Sequence, residues 1–239
     1  MLLTLESVVA GYGGGDVLRG VDLDVEEGGI TCVVGPNGAG KSTVLRAISG
    51  LLKPSRGSIT FDGMEISGMT PRHALARGIV QIPQERSLFP QMTVRRNVEL
   101  GAYTIRDRAL VRKRLDAVVE MFPLVKERAN DKAGSLSGGQ QKIIEFARGL
   151  MLDPRLVLLD EPSMGLDPKT LRSVFEKVKL MKDAGKTILL VEQNARSGLG
   201  ISDHGLVMEG GTVRLSGPAS TILENPEVGT LYLGGALAS

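Results

Sequence analysis

The sequence predicts an α/β protein in which a parallel sheet core carries an N-terminal antiparallel sheet and an inserted helical segment. Continuous apolar runs at residues 30–34, 156–159 and 187–191 are typical of strands buried on both faces of a parallel sheet. Residues 21–25 instead alternate apolar and acidic side chains, which predicts a strand with one face in solvent. Between about residues 92 and 150 the strand signals vanish and apolar residues recur at helical spacing.

The composition limits the classes of protein that this chain can be. Its 239 residues are 42% hydrophobic, which is enough for a sizeable core. The net charge is +2, Trp is absent and aromatic residues make up 3%, so we expect no nucleic-acid partner. The single cysteine, Cys32, cannot form an internal disulfide, and its place in an apolar run predicts a buried small hydrophobe.

The sequence carries no signal for membrane insertion or secretion. No apolar stretch reaches the roughly 18 to 20 residues that span a bilayer. Residues 1–6 lack the charged start and long apolar core of a signal peptide. We therefore expect the chain in the cytoplasm.

The first half of the chain predicts two strand regions and a short helix. Residues 3–25 fit an antiparallel edge sheet. Residues 58–61, which read SITF and are closed by Asp-Gly, predict a further strand. Thr70 followed by Pro71 marks the start of a short helix, with Thr70 as its cap, and a strand follows at residues 79–82.

The second half predicts a helical segment followed by a return to the sheet. The core resumes with a strand at residues 156–159 and with a helix that begins after Asp167 and ends near Gly185. Two strands within residues 206–215, joined by Glu-Gly-Gly, predict a hairpin. Within the preceding helical segment, the apolar residues at helical spacing are Leu110, Val111, Leu115, Val118, Val119 and Phe122.

These elements predict one domain over residues 1–239, without an internal repeat or a low-complexity linker. Residues 1–91 and 151–239 are expected to form its core. Approximately residues 92–150 are expected to form an inserted helical subdomain.

A glycine-rich loop directly follows the apolar run at residues 30–34. Residues 35–43 read GPNGAGKST, in which the glycines let backbone N–H groups converge on phosphate oxygens. Lys41 is expected to reach the β- and γ-phosphates, and Ser42 to offer its hydroxyl to Mg²⁺. The helix that begins near Thr43 directs its positive end at the same anion. The candidate nucleotide-binding residues here are Gly35, Pro36, Asn37, Gly38, Ala39, Gly40, Lys41, Ser42 and Thr43.

A second helix end with the features of an anion site lies at residues 136–140, which read LSGGQ. Ser137 can cap the helix, while Gly138 and Gly139 permit close backbone approach to an anion, and Gln140 completes the motif. If this end lies on a separate lobe, it cannot easily fold onto the first loop. We therefore expect it to serve a nucleotide held by another subunit.

Two acidic residues end the strand at residues 156–159. Asp160 and Glu161 fall at its carboxyl end, where ligands bind in open α/β sheets. One acid can support Mg²⁺, and the next can orient a water molecule.

In this order and spacing, the motifs at residues 35–43, 136–140 and 156–161 resemble those of the ATP-binding cassette (ABC) ATPases. The resemblance covers residues 3–218. It implies a P-loop NTPase (RecA-like) core with an N-terminal antiparallel β subdomain and an inserted α-helical signature subdomain. It also implies that the chain binds ATP with Mg²⁺ and hydrolyses ATP.

The resemblance assigns a role to each motif. The loop at residues 35–43 is similar to the Walker A motif, in which Lys41 is catalytic. Residues 136–140 are similar to the family signature. The strand that ends at Asp160 is similar to the Walker B motif, with Asp160 on the metal, and Glu161 is similar to the general base or water-orienting carboxylate.

Three further residues take roles from the same resemblance. Tyr12 looks like the aromatic residue that stacks on adenine, although a half-buried strand tyrosine would look the same. Gln84 is similar to the glutamine that joins the core to the helical lobe and senses Mg²⁺ and the membrane partner; by itself it is a loop residue. Asp167, in the segment 163–167, looks like part of a loop that crosses the dimer interface, although helix capping alone would explain it.

One position departs from the common family pattern. Gln193 stands where most members carry a histidine that contacts the γ-phosphate, and neither His73 nor His204 is placed to replace it. A glutamine amide can donate a hydrogen bond to phosphate, but it cannot become cationic. The run VEQN at residues 191–194 and the terminal residues 232–234, Tyr-Leu-Gly, resemble the ATPase subunits of branched-chain amino-acid importers.

The resemblance also implies partners. It implies a head-to-tail dimer with a second ATPase subunit, either identical or different, with ATP sandwiched between the two chains. The dimer would drive transmembrane permease subunits from the cytoplasmic side of the plasma membrane, and a periplasmic or surface protein would supply the solute. The permease contact is expected near Gln84 and the helical lobe. A basic stretch there is either a solvated helix face or a contact for a partner or lipid headgroups: Arg106, Arg108, Arg112, Lys113 and Arg114.

Two alternatives to an importer ATPase stay open. The first is a nucleotide-gated clamp that hydrolyses poorly because of Gln193, although Glu161 argues against it. The second is the ATPase of a lipid or polysaccharide exporter, or a soluble cassette protein.

Overall fold

A computed structural model describes residues 1–226 and residue 228, and these residues form ten strands and nine α-helices. The strands are β1 Leu3–Tyr12, β2 Gly15–Val25, β3 Ile30–Val34, β4 Arg56–Phe61, β5 Met64–Glu65, β6 Ile79–Ile82, β7 Leu156–Asp160, β8 Thr187–Glu192, β9 His204–Glu209 and β10 Thr212–Pro218. The helices are α1 Lys41–Ile48, α2 Pro71–Ala76, α3 Val94–Glu99, α4 Arg108–Met121, α5 Leu124–Glu127, α6 Gly138–Leu150, α7 Pro168–Asp183, α8 Ala195–Leu199 and α9 Ala219–Glu224.

The strands form two sheets, as the sequence predicts. The six-stranded sheet has the order β10-β9-β3-β8-β7-β6. Its strands β9, β3, β8, β7 and β6 are parallel, and β10 adds an antiparallel edge. The four-stranded antiparallel sheet has the order β2-β1-β4-β5. Every residue of β7 and β8 is buried, whereas burial alternates through residues 21–25 of β2, so both strand predictions are confirmed.

Two hydrophobic cores lie on the two faces of the parallel sheet. One packs helix α1 and the antiparallel sheet against the first face, with residues such as Leu5, Leu45 and Leu158 at its centre. The other runs from the opposite face into the helices α3 to α6 and includes Phe122 and Phe146. Cys32 is fully buried in this second core, as predicted.

The segment between β6 and β7 is helical. Its described residues form the helices α3 to α6 with two short 3₁₀ turns and no strand, apart from an isolated bridge between Thr93 and Lys132. Helix α4 buries Leu115 and Val118, two of the apolar residues that recur at helical spacing in the sequence. Of the basic stretch, Arg114 pairs with Asp153, and the remaining basic residues are exposed.

Local details differ slightly from the sequence predictions. Helix α1 begins at Lys41 instead of Thr43, since Gly40 adopts a left-handed conformation before it. Thr70 occupies the cap position of α2, but its hydroxyl pairs with the ring of His73 instead of capping the backbone. The predicted hairpin joins β9 to β10. Residues 232–234 lie outside the described residues.

None of the helices in the described part of the chain combines the length and the apolar character that crossing a membrane requires.

Candidate nucleotide-binding site

The glycine-rich loop lies between the end of β3 and the start of α1. Gly38 and Gly40 have φ values of +81° and +102°, a region that other residues rarely adopt. At Gly35 an added Cβ would lie 2.2 Å from the carbonyl oxygen of Met208 in β9, so the loop passes too close to the sheet for a side chain. These glycines are therefore required by backbone geometry.

Lys41 is held inside the loop by oxygen atoms on several sides. Its Nζ donates to the carbonyl oxygens of Gly35 at 2.9 Å and Pro36 at 3.2 Å. The same Nζ lies 3.3 Å from Oε1 of Glu161, and both side chains are buried. The ammonium group therefore lies between the loop and the end of β7, at the position from which a phosphate would be neutralised.

Ser42 and Asp160 form the adjacent pair of oxygen groups. Ser42 Oγ donates to Asp160 Oδ1 at 2.8 Å. Burial raises the pKa of Asp160, and the hydrogen bond from Ser42 partly offsets this effect. A hydroxyl and one carboxylate fit Mg²⁺, which commonly takes one or two protein ligands and completes its shell with phosphate and water. The described residues contain no cluster of three or more His, Cys, Asp or Glu side chains that could hold a metal ion.

Glu161 follows β7 in a strained backbone conformation. Its φ is +42°, which a non-glycine residue adopts only when its surroundings hold it there. Its N–H donates to the carbonyl oxygen of Val191 in β8 at 2.9 Å. Gln84 Nε2 donates to Glu161 Oε2 at 3.0 Å. Gln84, which belongs to the segment after β6, therefore meets the carboxylate that the sequence places at the reaction centre.

A cavity of about 470 Å³ brings nine of the predicted residues together. Tyr12 lies at its edge, 45% exposed, and accepts a hydrogen bond from Arg46 Nη1 at 2.9 Å. The guanidinium carbon of Arg46 lies 5.8 Å from the centre of the Tyr12 ring. This Arg46 contact has no local signal in the sequence. The lining residues are Tyr12, Val17, Asn37, Gly38, Gly40, Lys41, Ser42, Thr43, Gln84 and Glu161.

The LSGGQ motif forms the start of helix α6, away from this cavity. Ser137 Oγ accepts from the N–H of Gln140, and Gln140 Oε1 accepts from the N–H of Ser137, so the predicted serine cap is present as a reciprocal pair. An added Cβ at Gly139 would lie 2.0 Å from Cγ2 of Thr170 in α7. Gly139 is therefore required for packing of α6 on α7. None of residues 137–140, all of which are described, lines the cavity.

Asp167 caps helix α7. Its Oδ1 accepts from the N–H groups of Lys169 and Thr170, at 3.0 Å and 3.1 Å. Hydrogen bonds from Thr170 lower the pKa of Asp167. The capping interpretation of Asp167 is thus observed directly.

Gln193 is exposed and lines a neighbouring cavity of about 560 Å³. Glu161 lines both cavities, so Gln193 lies in the cavity next to Glu161 and does not line the cavity of the glycine-rich loop. His73 and His204 bond to Thr70 and Ser216, away from this site.

A buried network that the sequence analysis missed ties the segment after Gln84 to helix α6. Lys142 Nζ donates to the carbonyl oxygen of Pro83 at 3.1 Å and lies 2.8 Å from Glu145 Oε2. Glu145 Oε1 accepts from the N–H of Ser87 at 2.6 Å, and Arg148 donates to the carbonyl oxygen of Ser87 at 2.7 Å. The available signal was the placement of three charged residues at spacings of three in α6, where the residues between them are apolar.

The comparisons with known proteins agree with this geometry. The family model for ABC transporters matches residues 18–164. The high-affinity branched-chain amino acid transport ATP-binding protein BraG of Pseudomonas aeruginosa is 36% identical over 98% of this chain and 100% of its own length. The probable branched-chain amino acid transport ATP-binding protein LivF of Archaeoglobus fulgidus is 38% identical over 94% and 95%. The lipopolysaccharide export system ATP-binding protein LptB of Escherichia coli is 34% identical over 97% of both chains.

Solved structures show the same similarity. The ADP conformation of MJ1267, an ATP-binding cassette of an ABC transporter, superposes with a TM-score of 0.89 at 30% identity over 98% of both chains. A dimeric post-hydrolysis state of the cassette MJ0796, bound to ADP and Pi, superposes with a TM-score of 0.78 at 29% identity over 91% of this chain and 98% of the other. The chain therefore belongs to the ABC transporter family, as one of its ATP-binding cassettes.

Proposed function

We propose that this chain is the Mg²⁺-dependent ATPase subunit of an importer, and that the roles of its site residues are those that the sequence predicts. The observation that carries the proposal is that Lys41, Ser42 and Glu161 line one cavity, with Asp160 hydrogen-bonded to Ser42. These groups supply a cation for phosphate, oxygen ligands for a metal ion, and a carboxylate for water.

The chain's own residues divide the chemistry between them. Lys41 and the N–H groups of the loop stabilise the charge on the phosphates, and Glu161 orients the attacking water. Ser42 and Asp160 would hold Mg²⁺, with Gln84 nearby, and the bound ion would neutralise charge on the β- and γ-phosphates.

The working unit in this proposal is a dimer. Residues 137–140 lie at a capped helix start outside the cavity that contains Lys41. A second cassette would therefore supply its own LSGGQ helix end to this nucleotide, and the similarity to a dimeric cassette structure supports that arrangement. Gln193 lies beside Glu161 and would donate to phosphate through its amide.

The permease contact is proposed on the surface between the sheet and the helices of residues 92–150, which we treat as a subdomain. A cavity of about 460 Å³ lies there. Phe89, Leu100 and Tyr103 line it and are 51%, 37% and 70% exposed, so they offer apolar area to a partner. Pro83 and Arg148 also line it, which places it beside the network that leads to Gln84. The chain would bind there at the cytoplasmic side of the membrane.

The proposed solutes are branched-chain amino acids, because two relatives at 36% and 38% identity are named for that transport. The 34% identity to LptB keeps a lipid or polysaccharide exporter as the second candidate.

Uptake of labelled leucine by cells that carry Glu161→Gln in the chromosomal gene separates the two candidates. We expect lost uptake, while Glu176→Gln, an exposed control on α7, leaves uptake at the parent level. Normal uptake combined with defective export of a surface lipid or polysaccharide would contradict the importer proposal.

A further inference from the structure

Glu192 is a buried carboxylate to which none of the roles above assigns a function. It is 1% exposed and lies at the end of β8, directly before Gln193. Within the described residues it forms no ion pair. Burying a carboxylate without a cation costs folding free energy, and hydrogen bonds to its oxygen atoms offset part of that cost.

Both oxygen atoms of Glu192 bind the same residue, Ser163. Oε1 accepts from the N–H of Ser163 at 3.1 Å, and Oε2 accepts from its hydroxyl at 2.7 Å. Ser163 lies two residues after Glu161. The carboxylate thus joins the end of β8 to the turn that follows β7.

The neighbouring residue of β8 holds the same turn. Val191 accepts a hydrogen bond from the N–H of Glu161 at 2.9 Å. The turn continues with the N–H of Met164 donating to the carbonyl oxygen of Glu161 at 3.1 Å. Since Glu161 has a φ of +42°, its conformation depends on such contacts. Consecutive residues of β8 therefore fix both Glu161 and Ser163.

The charged groups near Glu192 do not stabilise its ionised form. Burial is the main cause of the raised pKa of Glu192, and the nearby Glu161 raises it further; Cys32 also faces it. Arg196 lines the same cavity, but it forms no ion pair with Glu192 among the described residues. The contacts that favour its ionised form are the two hydrogen bonds from Ser163 and a smaller one from the backbone of Gln193.

We propose that Glu192 is a positioning residue for ATP hydrolysis, which holds Glu161 and the turn after it in place through two hydrogen bonds to Ser163. The inference rests on the proposed role of Glu161. Glu192 does not line the cavity of the glycine-rich loop, so it acts on turnover and leaves ATP binding unchanged.

The test is steady-state MgATP hydrolysis and ATP binding by the full chain with substitutions at both ends of the contact. Glu192→Ala should lower kcat about tenfold with KM within about twofold of the parent value, because both hydrogen bonds to Ser163 are lost away from the nucleotide. Glu192→Gln should restore most of kcat, since its amide can accept from the N–H of Ser163 and donate to the hydroxyl. Glu176→Gln is the matched exposed control.

Ser163→Ala should lower kcat about threefold, and in combination with Glu192→Ala it should add nothing further. A parent-like kcat in Glu192→Ala would overturn the proposal, as would a loss of ATP binding parallel to the loss of kcat. If Glu192→Ala does not fold, a parent-like kcat in Ser163→Ala overturns it. A parent chain that binds but never hydrolyses ATP would instead refute the proposed function, and this inference with it.

Discussion

Lys41 Nζ lies 3.3 Å from Glu161 Oε1, and the exposed fractions of the two side chains are only 4% and 9%. Lys41 lies in the segment after β3, and Glu161 directly follows β7. In the sheet, β8 lies between these two strands. The fold thus pairs the cation proposed to bind phosphate with the carboxylate proposed to orient water. Either residue alone would be a buried, uncompensated charge.

The Lys41–Glu161 pair predicts a specific pattern of stability. Lys41→Met should lower the free energy of unfolding by about 3 kcal/mol near neutral pH, because it leaves Glu161 buried without its cation. The double variant Lys41→Met with Glu161→Gln should recover most of that loss. Urea unfolding of the three proteins measures the effect. A double variant as unstable as Lys41→Met would show that the pair is not the cause.

Glu192 predicts a pH dependence of stability. Burial is the main reason that its pKa rises from 4.5 to about 7. Folding therefore favours the protonated form of Glu192. Its contribution to the free energy of unfolding is complete below pH 4.5 and is lost as the pH rises through about 7. Between about pH 5 and pH 8 the parent should lose roughly 2.5 kcal/mol that Glu192→Gln does not lose. Equal slopes of unfolding free energy against pH in the two proteins would refute this.

Gly139 predicts a packing defect that a second substitution repairs. Gly139→Ala would bring its Cβ within 2.0 Å of Thr170 Cγ2 and should cost about 1 to 3 kcal/mol. Thr170→Ser removes that methyl group and keeps the hydroxyl that bonds to Asp167, so the pair of changes should restore stability. Thermal unfolding reports the result. If Gly139→Ala is as stable as the parent but loses ATP-dependent dimerisation, the glycine serves anion approach and not packing.

Substitutions of Tyr12 should distinguish the contribution of its ring to ATP binding from that of its hydroxyl. Tyr12→Phe loses the bond to Arg46 but keeps the ring, so the KM for ATP should stay within about twofold of the parent value. Tyr12→Ala should raise that KM about tenfold, as expected for loss of one base-stacking contact. Steady-state kinetics distinguishes the roles, and equal effects of both variants would assign the contribution to the Arg46 contact instead.

The sequence predicts most of the sheet and the helix starts because those signals are local. Apolar runs identify β7 and β8, and Asp167 followed by Pro168 marks the start of α7. The missed contacts join residues far apart in the chain, such as Ser163 to Glu192 and Tyr12 to Arg46. The periodicity of apolar residues predicts single strands and helices. It does not predict which side chains meet at the carboxyl ends of the parallel strands.

Gly139 shows the other limit of prediction from sequence. Its motif suggests anion binding, and a requirement for glycine fits that suggestion. Only the packing of α6 against α7 reveals that Thr170 occupies the space of a side chain. A glycine here can serve both anion approach and close helix packing, and the sequence alone does not distinguish these two requirements.

The most direct test of the central claim is steady-state MgATP hydrolysis by the purified chain beside Glu161→Gln and Gln193→His, with ATP binding measured in parallel. We expect all three proteins to bind ATP, the parent to hydrolyse it, and Glu161→Gln to be at least about a hundredfold slower. Hydrolysis by Glu161→Gln at the parent rate would contradict the assignment of Glu161. An inactive parent that Gln193→His activates would contradict a self-sufficient ATPase and favour a partner subunit that carries the histidine.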